Sequence, residues 1–127
     1  MKYAILDTNF ILTCVKQKID FFEDIKLMGF QIVIPKQVIN EIEKVSRSKK
    51  KLHVRDDALL SLKLLEKNRE SYKNIDISKY GKNTDKRIKG FSIKYPEAVI
   101  ATLDRELKKK TKNKKIVIRR KKKLEII

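Results

Sequence analysis

Residues 3–9 read Tyr-Ala-Ile-Leu-Asp-Thr-Asn, four residues with apolar bulk closed abruptly by an aspartate. So short a run, with no polar alternation, is the pattern of a strand buried on both faces, as in the middle of a parallel sheet. A second run, Gln31-Ile32-Val33-Ile34, is closed by Pro35 and reads the same way. Between them residues 10–28 carry helical periodicity up to Gly29, a C-terminal capping residue, so one helix is expected there. After Pro35, Val38, Ile42 and Val45 recur at i, i+4 and i+7 with Ile39 beside them, an amphipathic helix. Ala58, Leu59, Leu62 and Leu65 mark a second helix, and residues 72–77 a weak strand. Asn83 and Thr84 supply an N-cap for a helix through Ile88, Phe91 and Tyr95, weakened by Gly90. Residues 98–102 are an apolar run before Leu103-Asp104, Asp104 caps a basic helix through Lys110, and residues 115–119 and 123–127 are the last strand candidates. Strands alternating with helices imply an α/β fold, a mostly parallel sheet of about five strands covered on both faces, with its functional crevice beyond the carboxyl ends of the strands.

No repeat, Gly/Ser linker or compositional break divides residues 1–127, so one domain is expected. The only cysteine, Cys14, precludes an internal disulfide, and no spacing suits a zinc knot. The run before Asp7 is too short for a signal-peptide core and no stretch is long and apolar enough for a membrane helix, so a cytoplasmic protein without membrane contact is expected.

The chain has 33 Lys and Arg against 16 Asp and Glu, a formal charge of +17. Residues 105–123 hold 12 of the bases and one acid, Glu106. A second basic stretch, read as a loop, runs through Lys44, Arg47, Lys49, Lys50, Lys51 and Arg55. A charge run is ordinarily a solvated face, but two in one small basic domain favour a polyanion, because neutralising phosphates releases condensed counterions. RNA or DNA is favoured over a membrane surface, and few aromatics with no Trp make base-stacking a secondary idea.

Against this basic background the acids stand out. Asp7 and Asp104 each follow a strand, and Asp85 lies in the first turn of its helix, three residues before Ile88. Each alone is accounted for as a cap or a partner of the helix dipole. Gathered at strand ends they repel one another, and a divalent cation relieves that repulsion. Glu41 and Glu43 flank the Val38, Ile42, Val45 stripe at similar angles, and periodicity does not choose between them. Oxygen donors suit Mg²⁺ or Mn²⁺ rather than zinc. His53 has no ligand partner nearby, and Cys14 fits core packing better than nucleophilic catalysis. Gly29, Gly81 and Gly90 are too far apart for a phosphate-cradling loop, and Asn9 stands where an aspartyl-phosphate phosphatase would carry its second aspartate.

The strand running into Asp7-Thr8-Asn9, the segment PKQVINEI over residues 35–42 with Glu41, the turn Asn83-Thr84-Asp85, and Thr102-Leu103-Asp104 followed by Arg105-Glu106-Leu107 together resemble the PIN-domain nucleases, in order and spacing across essentially the whole chain. The basic end Arg119-Arg120-Lys121-Lys122-Lys123 resembles the tail of a compact archaeal subgroup related to small-subunit-processome nucleases, with the VapC toxins a neighbouring subgroup. The resemblance implies a three-layer α/β/α fold on a five-stranded parallel sheet. It implies a metal site of Asp7, Glu41, Asp85 and Asp104 binding Mg²⁺ or Mn²⁺, and so chooses Glu41 over Glu43. Asn9 and Thr102 would support the ligands by hydrogen bonding. The implied activity is a metal-dependent endoribonuclease acting in rRNA maturation or as a VapC-type toxin, with RNA on the two basic stretches. Its partners would be RNA, a second copy of the chain and, for a toxin, an antitoxin. A non-catalytic RNA-binding or ribosome-assembly factor on the same fold is the alternative. The sequence departs from the family pattern at Leu103, where relatives usually carry Asn, and at Lys86 after Asp85.

Overall fold

The computed structural model describes residues 2–127, apart from the Lys121 side chain. Six strands, β1 (Tyr3–Leu6), β2 (Gln31–Pro35), β3 (Tyr72–Ile75), β4 (Val99–Ala101), β5 (Lys115–Arg119) and β6 (Lys123–Ile126), form one sheet in the order β3-β2-β1-β4-β5-β6. β1 to β5 are parallel to their neighbours, and β6 returns antiparallel beside β5. The turn Arg120–Lys122 between them is too short for a crossover, which leaves an antiparallel hairpin as the one geometry available. The five-stranded parallel sheet expected from the sequence is therefore present with one antiparallel strand added.

Alternation along each strand sends its side chains to opposite faces. Ala4, Leu6, Ile32, Ile34, Val99, Ala101 and Ile116 pack with α1 (Thr8–Lys16), α2 (Phe21–Leu27), α3 (Lys36–Ser46) and α4 (Leu52–Lys67). On the other face Ile5 and Ile100 pack with Ile77, with Ile88 and Phe91 of α5 (Thr84–Lys94) and with Leu107 of α6 (Arg105–Lys110). Cys14 is fully buried and its thiol is pushed up to about 12 by burial, as befits a core residue.

The single helix expected over residues 10–28 is two. The apolar spacing Ile11, Val15, Ile19 continues through the break and conceals it, but Lys18 is left-handed at φ 60° and Asp20 starts a new helix by accepting from the Glu23 N–H at 3.1 Å. Gly29 does end α2: at φ 90° its N–H reaches the Lys26 carbonyl and the Phe30 N–H reaches that of Ile25, a Schellman motif. In α4 the core face is Ala58, Ser61 and Leu65, while Leu59 is largely exposed, one residue off that stripe. The basic stretch at 44–55 is not one loop, since Lys44 lies in the last turn of α3 and Arg55 in the first turn of α4. Nor are residues 105–123 a tail: they form α6, β5 and the hairpin turn.

The strand order proceeds outward from β1 in both directions, through β2 to β3 and through β4 to β5. The switch between β1 and β4 is where doubly wound sheets open a crevice at the strand carboxyl ends. Asp7 and the segment 102–104 stand on its two sides.

Gly90 is the point at which α5 meets the turn Ser78–Tyr80: a Cβ there would lie 2.6 Å from the Tyr80 carbonyl oxygen and 2.8 Å from its Cβ. Helix propensity alone makes Gly90→Ala stabilising by about 1 kcal/mol. Overpacking against main chain opposes it with about 1–3 kcal/mol. A net loss is expected, read as a lower urea midpoint at unchanged m-value. A raised midpoint would show that this contact yields freely.

Candidate active site at the switch between β1 and β4

Asp7 is 6% exposed at the end of β1 and caps α1, its Oδ1 accepting from the Thr8 N–H at 2.8 Å. Its Oδ2 accepts from the Thr102 hydroxyl at 2.9 Å, across the switch. Thr102 Oγ1 accepts in turn from the Asp104 N–H at 3.1 Å, so one buried hydroxyl aligns the ends of β1 and β4. Asp104 is the N-cap of α6, its Oδ1 accepting from the N–H groups of Glu106 (2.8 Å) and Leu107 (3.3 Å). Asp85 lies in the first turn of α5, whose N-cap Asn83 accepts from the Lys86 N–H at 2.9 Å. Lys86 is exposed, and Leu103 is half-buried against the main core.

Burial is the chief cause that raises the Asp7 carboxyl above its ordinary 3.8, opposed by the hydrogen bonds from Thr102 and Thr8 and reinforced by the charges of Asp85 and Glu41. Asp85 is also raised, first by desolvation, then by the Asp104 charge and by a hydrogen bond to Asp104 that only the protonated form can make, then by Glu41. The Lys110 ammonium opposes these. The four acids chosen from the sequence therefore share one electrostatic neighbourhood. Glu41 Oε1 is buried there without a hydrogen-bond partner, an acceptor left open to a cation or a donor. The Thr8 hydroxyl, beside Asp7, is orphaned too.

The donors fit a hard divalent cation. All are oxygens, and the two hydrogen bonds to Asp7 use half of its about four lone-pair directions. Among the described residues no three acidic, His or Cys side chains already converge at ligand spacing. Asn9 is exposed in the first turn of α1, and no hydrogen bond to the acids from its side chain occurs among the described residues, whereas Thr102 makes one.

Of the basic residues, Lys44, Arg47, Lys49, Lys50 and Lys51 are exposed, while Arg55 is half-buried with its Nε lacking a partner. Arg119 pairs with Glu125 at 2.9 Å, and Arg120, Lys122 and Lys123 are exposed at the β5–β6 turn, on the same edge of the sheet as Asp7 and Asp104. The Lys121 side chain lies outside the described residues. Sequence reasoning missed Lys110, which α6 brings close to Asp85. It also missed Gln37, whose Nε2 donates to Asp76 at 2.6 Å and whose Oε1 accepts from the Ile77 N–H. Gln37 lies one turn before Glu41, a spacing that could have marked it. Among the described residues no helix is long and apolar enough to cross a membrane.

A carboxyl whose folded value is raised contributes stability that is complete below its unfolded value and is lost as pH rises through the folded one. In chelator, Asp7→Asn should therefore melt above the wild type at neutral pH, the gap closing as pH falls below about 4. Asn retains an acceptor for Thr8 and offers a donor to Thr102. Melting curves that coincide across pH 3–8 would remove the desolvated charge from Asp7.

The sequence matches the family described as PIN like domain over residues 4–123. No curated protein matches it significantly in sequence. The fold is similar to the structure of the PIN domain endonuclease Utp24, at TM-score 0.73 and 20% identity over 98% of this chain and 95% of that one. It is also similar to VapBC2 from Rickettsia felis, solved bound to a DNA fragment from its promoter, at TM-score 0.61 and 20% identity over 91% of this chain and 98% of that one. With the match running from β1 through the switch to the start of β6, the chain belongs to the PIN like domain family.

Proposed function

We propose that the chain is a metal-dependent endoribonuclease of the cytoplasm that hydrolyses RNA phosphodiester bonds. The observation that carries this is the buried, doubly anchored Asp7 at the topological switch, in one electrostatic neighbourhood with Glu41, Asp85 and Asp104. Mg²⁺ or Mn²⁺ held by these four acids would supply an activated water and offset charge on the leaving oxygen. Thr102 keeps Asp7 and the Asp104 main chain in register, and Thr8 fixes the second Asp7 oxygen. Lys110 favours the ionised form of Asp85. Phosphates flanking the cut are bound by Lys44, Arg47, Lys49, Lys50, Lys51 and Arg55 on one side and by Arg119, Arg120, Lys121, Lys122 and Lys123 on the other. The Arg119–Glu125 pair is exposed and worth about 0–1 kcal/mol, so a phosphate displaces the glutamate readily.

The resemblance of the basic C-terminal stretch to the processome-related subgroup favours ribosomal RNA or its precursor as substrate. A toxin role would bring an antitoxin and a second copy of the chain. The alternative of a non-catalytic RNA-binding or ribosome-assembly factor is favoured by one observation, that the acids are not already converged at ligand spacing.

Incubating labelled structured RNA with Mg²⁺, Mn²⁺ or chelator separates the two. Cleavage is expected only with metal, and Asp7→Asn should lower it at least roughly a hundredfold, within the several kcal/mol a metal contributes, while binding in chelator stays within about twofold. Wild-type protein that binds RNA yet never cuts it would establish the non-catalytic alternative. Replacing Arg120, Lys122 and Lys123 with Gln should flatten the slope of log affinity against log salt by about 0.7 per lost single-strand contact. An unchanged slope would return that turn to a merely solvated surface.

A further inference from the structure

The second face of the sheet is only partly covered. Between β3 and the C-terminal half of α5 lies an open cavity of about 330 Å³, near the lower end of the range for small-ligand sites. Three of the chain's four tyrosines, Tyr3, Tyr80 and Tyr95, come together here around Phe91, although they are scattered through the sequence. Tyr80 meets Phe91 edge-on with centroids 6.0 Å apart, and Phe91 lies 4.7 Å from Tyr95, one turn further on. Each tyrosine carries an ammonium over its ring: Lys73 at 5.2 Å from Tyr3, Lys79 at 5.3 Å from Tyr80 and Lys94 at 6.0 Å from Tyr95.

The groove is held open by hydrogen bonds at both ends. Asp76 accepts from the Ser78 N–H at 2.9 Å and from Gln37 of α3, which fixes the turn bearing Lys79 and Tyr80 to the helix bearing Glu41. At the other end the buried Asn113 donates from Nδ2 to the carbonyls of Ser92, Tyr95 and Ala98 at 3.2, 3.1 and 2.8 Å, which fixes the main chain presenting Phe91 and Tyr95. The one acid in the lining, Asp76, is occupied by these contacts, so the face offered is aromatic and cationic.

We propose that this groove docks an unpaired nucleobase of single-stranded RNA, its ring against Tyr95 and Tyr80, which the buried Phe91 backs, and its adjoining phosphates on Lys73 and Lys79. The proposal rests on RNA being the substrate. Charge complementarity chooses the occupant. Stacking accepts any base, ammonium groups already poised over ring faces can move to phosphates, and a preformed pocket asks for little ordering. A second copy of the chain is a poorer fit. Among the described residues, α5 and its cap expose only Ile93 and Tyr95 as large apolar side chains, far short of the roughly 800 Å² per partner of a stable interface. Tyr95, the C-cap of α5, is ten positions beyond Asp85, a rise of about 15 Å, so a strand leaving the acidic crevice along α5 reaches the groove within a few nucleotides.

The test uses a short oligoribonucleotide and an abasic ribose-phosphate strand of equal length, both in chelator, with wild type, Tyr95→Leu and Lys79→Gln. Wild type should bind the base-bearing strand about tenfold more tightly, roughly 1.4 kcal/mol, in line with one stacked base. Tyrosine emission, unobscured because the chain has no Trp, should be quenched by that strand alone. Tyr95→Leu should abolish the preference without altering abasic affinity or salt slope, and Lys79→Gln should flatten the slope on both strands by about 0.7. Tyr95 is 40% exposed, which favours a folded variant, and the quenching and Lys79→Gln arms decide the matter without it. A Tyr95→Leu protein that keeps the preference, or loses affinity for both strands equally, overturns the groove. So does one whose self-association changes in sedimentation while its RNA binding does not, which would make the face a protein interface. Wild type that binds both strands alike overturns the groove alone; wild type that binds neither overturns RNA as the substrate.

Discussion

The hydrogen bond from the Thr102 hydroxyl to Asp7 Oδ2 joins residues 95 apart in sequence and closes the crevice on which the rest of the site depends. Asp7 is at once the end of the central strand, the cap of α1 and the most buried acid of the cluster. As a cap it benefits from the Thr8 N–H and the positive end of the helix dipole, and as a buried charge it is disfavoured by desolvation. Burial outweighs the hydrogen bonds, so the carboxyl lies above its ordinary value. The same hydroxyl accepts from the Asp104 main chain, so the second acid is aligned by the atom that anchors the first.

Charge is segregated on this framework. The chain is strongly basic, and among the described residues Lys115 is the one buried base, its ammonium donating to the Thr111 carbonyl at 2.7 Å and kept below its ordinary value by burial. Four of the sixteen acids, Asp7, Glu41, Asp85 and Asp104, share one neighbourhood at the switch between β1 and β4. A polyanion is attracted by the rim and repelled by the centre, so it is held at the rim and brings a phosphate close to the acids only when their charge is offset. Long-range attraction and local selectivity are thereby assigned to different residues.

The parallel sheet was legible because its strands are short apolar runs that end in Asp7, Pro35 and Thr102, and a run buried on both faces has no other economical reading. Asp104 and Asn83 were legible as caps because a capping side chain acts within three residues of itself. The break between α1 and α2 was not, since both helices bury their apolar residues against one core and the spacing passes through the interruption. The Asp20-x-x-Glu23 pattern was the one local sign of it. Leu59 was misplaced because adjacent leucines give periodicity two stripes to follow. The choice of Glu41 over Glu43 was beyond periodicity. In the structure Glu41 differs from Glu43 by an unpartnered buried oxygen and by its charge coupling to Asp7 and Asp85, which depend on how α3 lies across the sheet.

The contacts that position the chemistry are of the same nonlocal kind. Gln37 and Glu41 occupy one face of α3 four residues apart; the first is fastened to the turn after β3 and the second enters the acidic neighbourhood. A shift of α3 therefore cannot move Glu41 without disturbing the Asp76 turn and the aromatic groove behind it. Asn113 likewise joins the end of α5 to the start of β4, so that Asp85 at one end of the helix and Tyr95 at the other are held by the strand that leads to Thr102 and Asp104. Neither link is visible as a motif, because a side-chain amide reaching a distant main chain leaves no periodic trace. Both tie the elements that carry the acids to the elements that line the groove, so the two features share their supporting contacts.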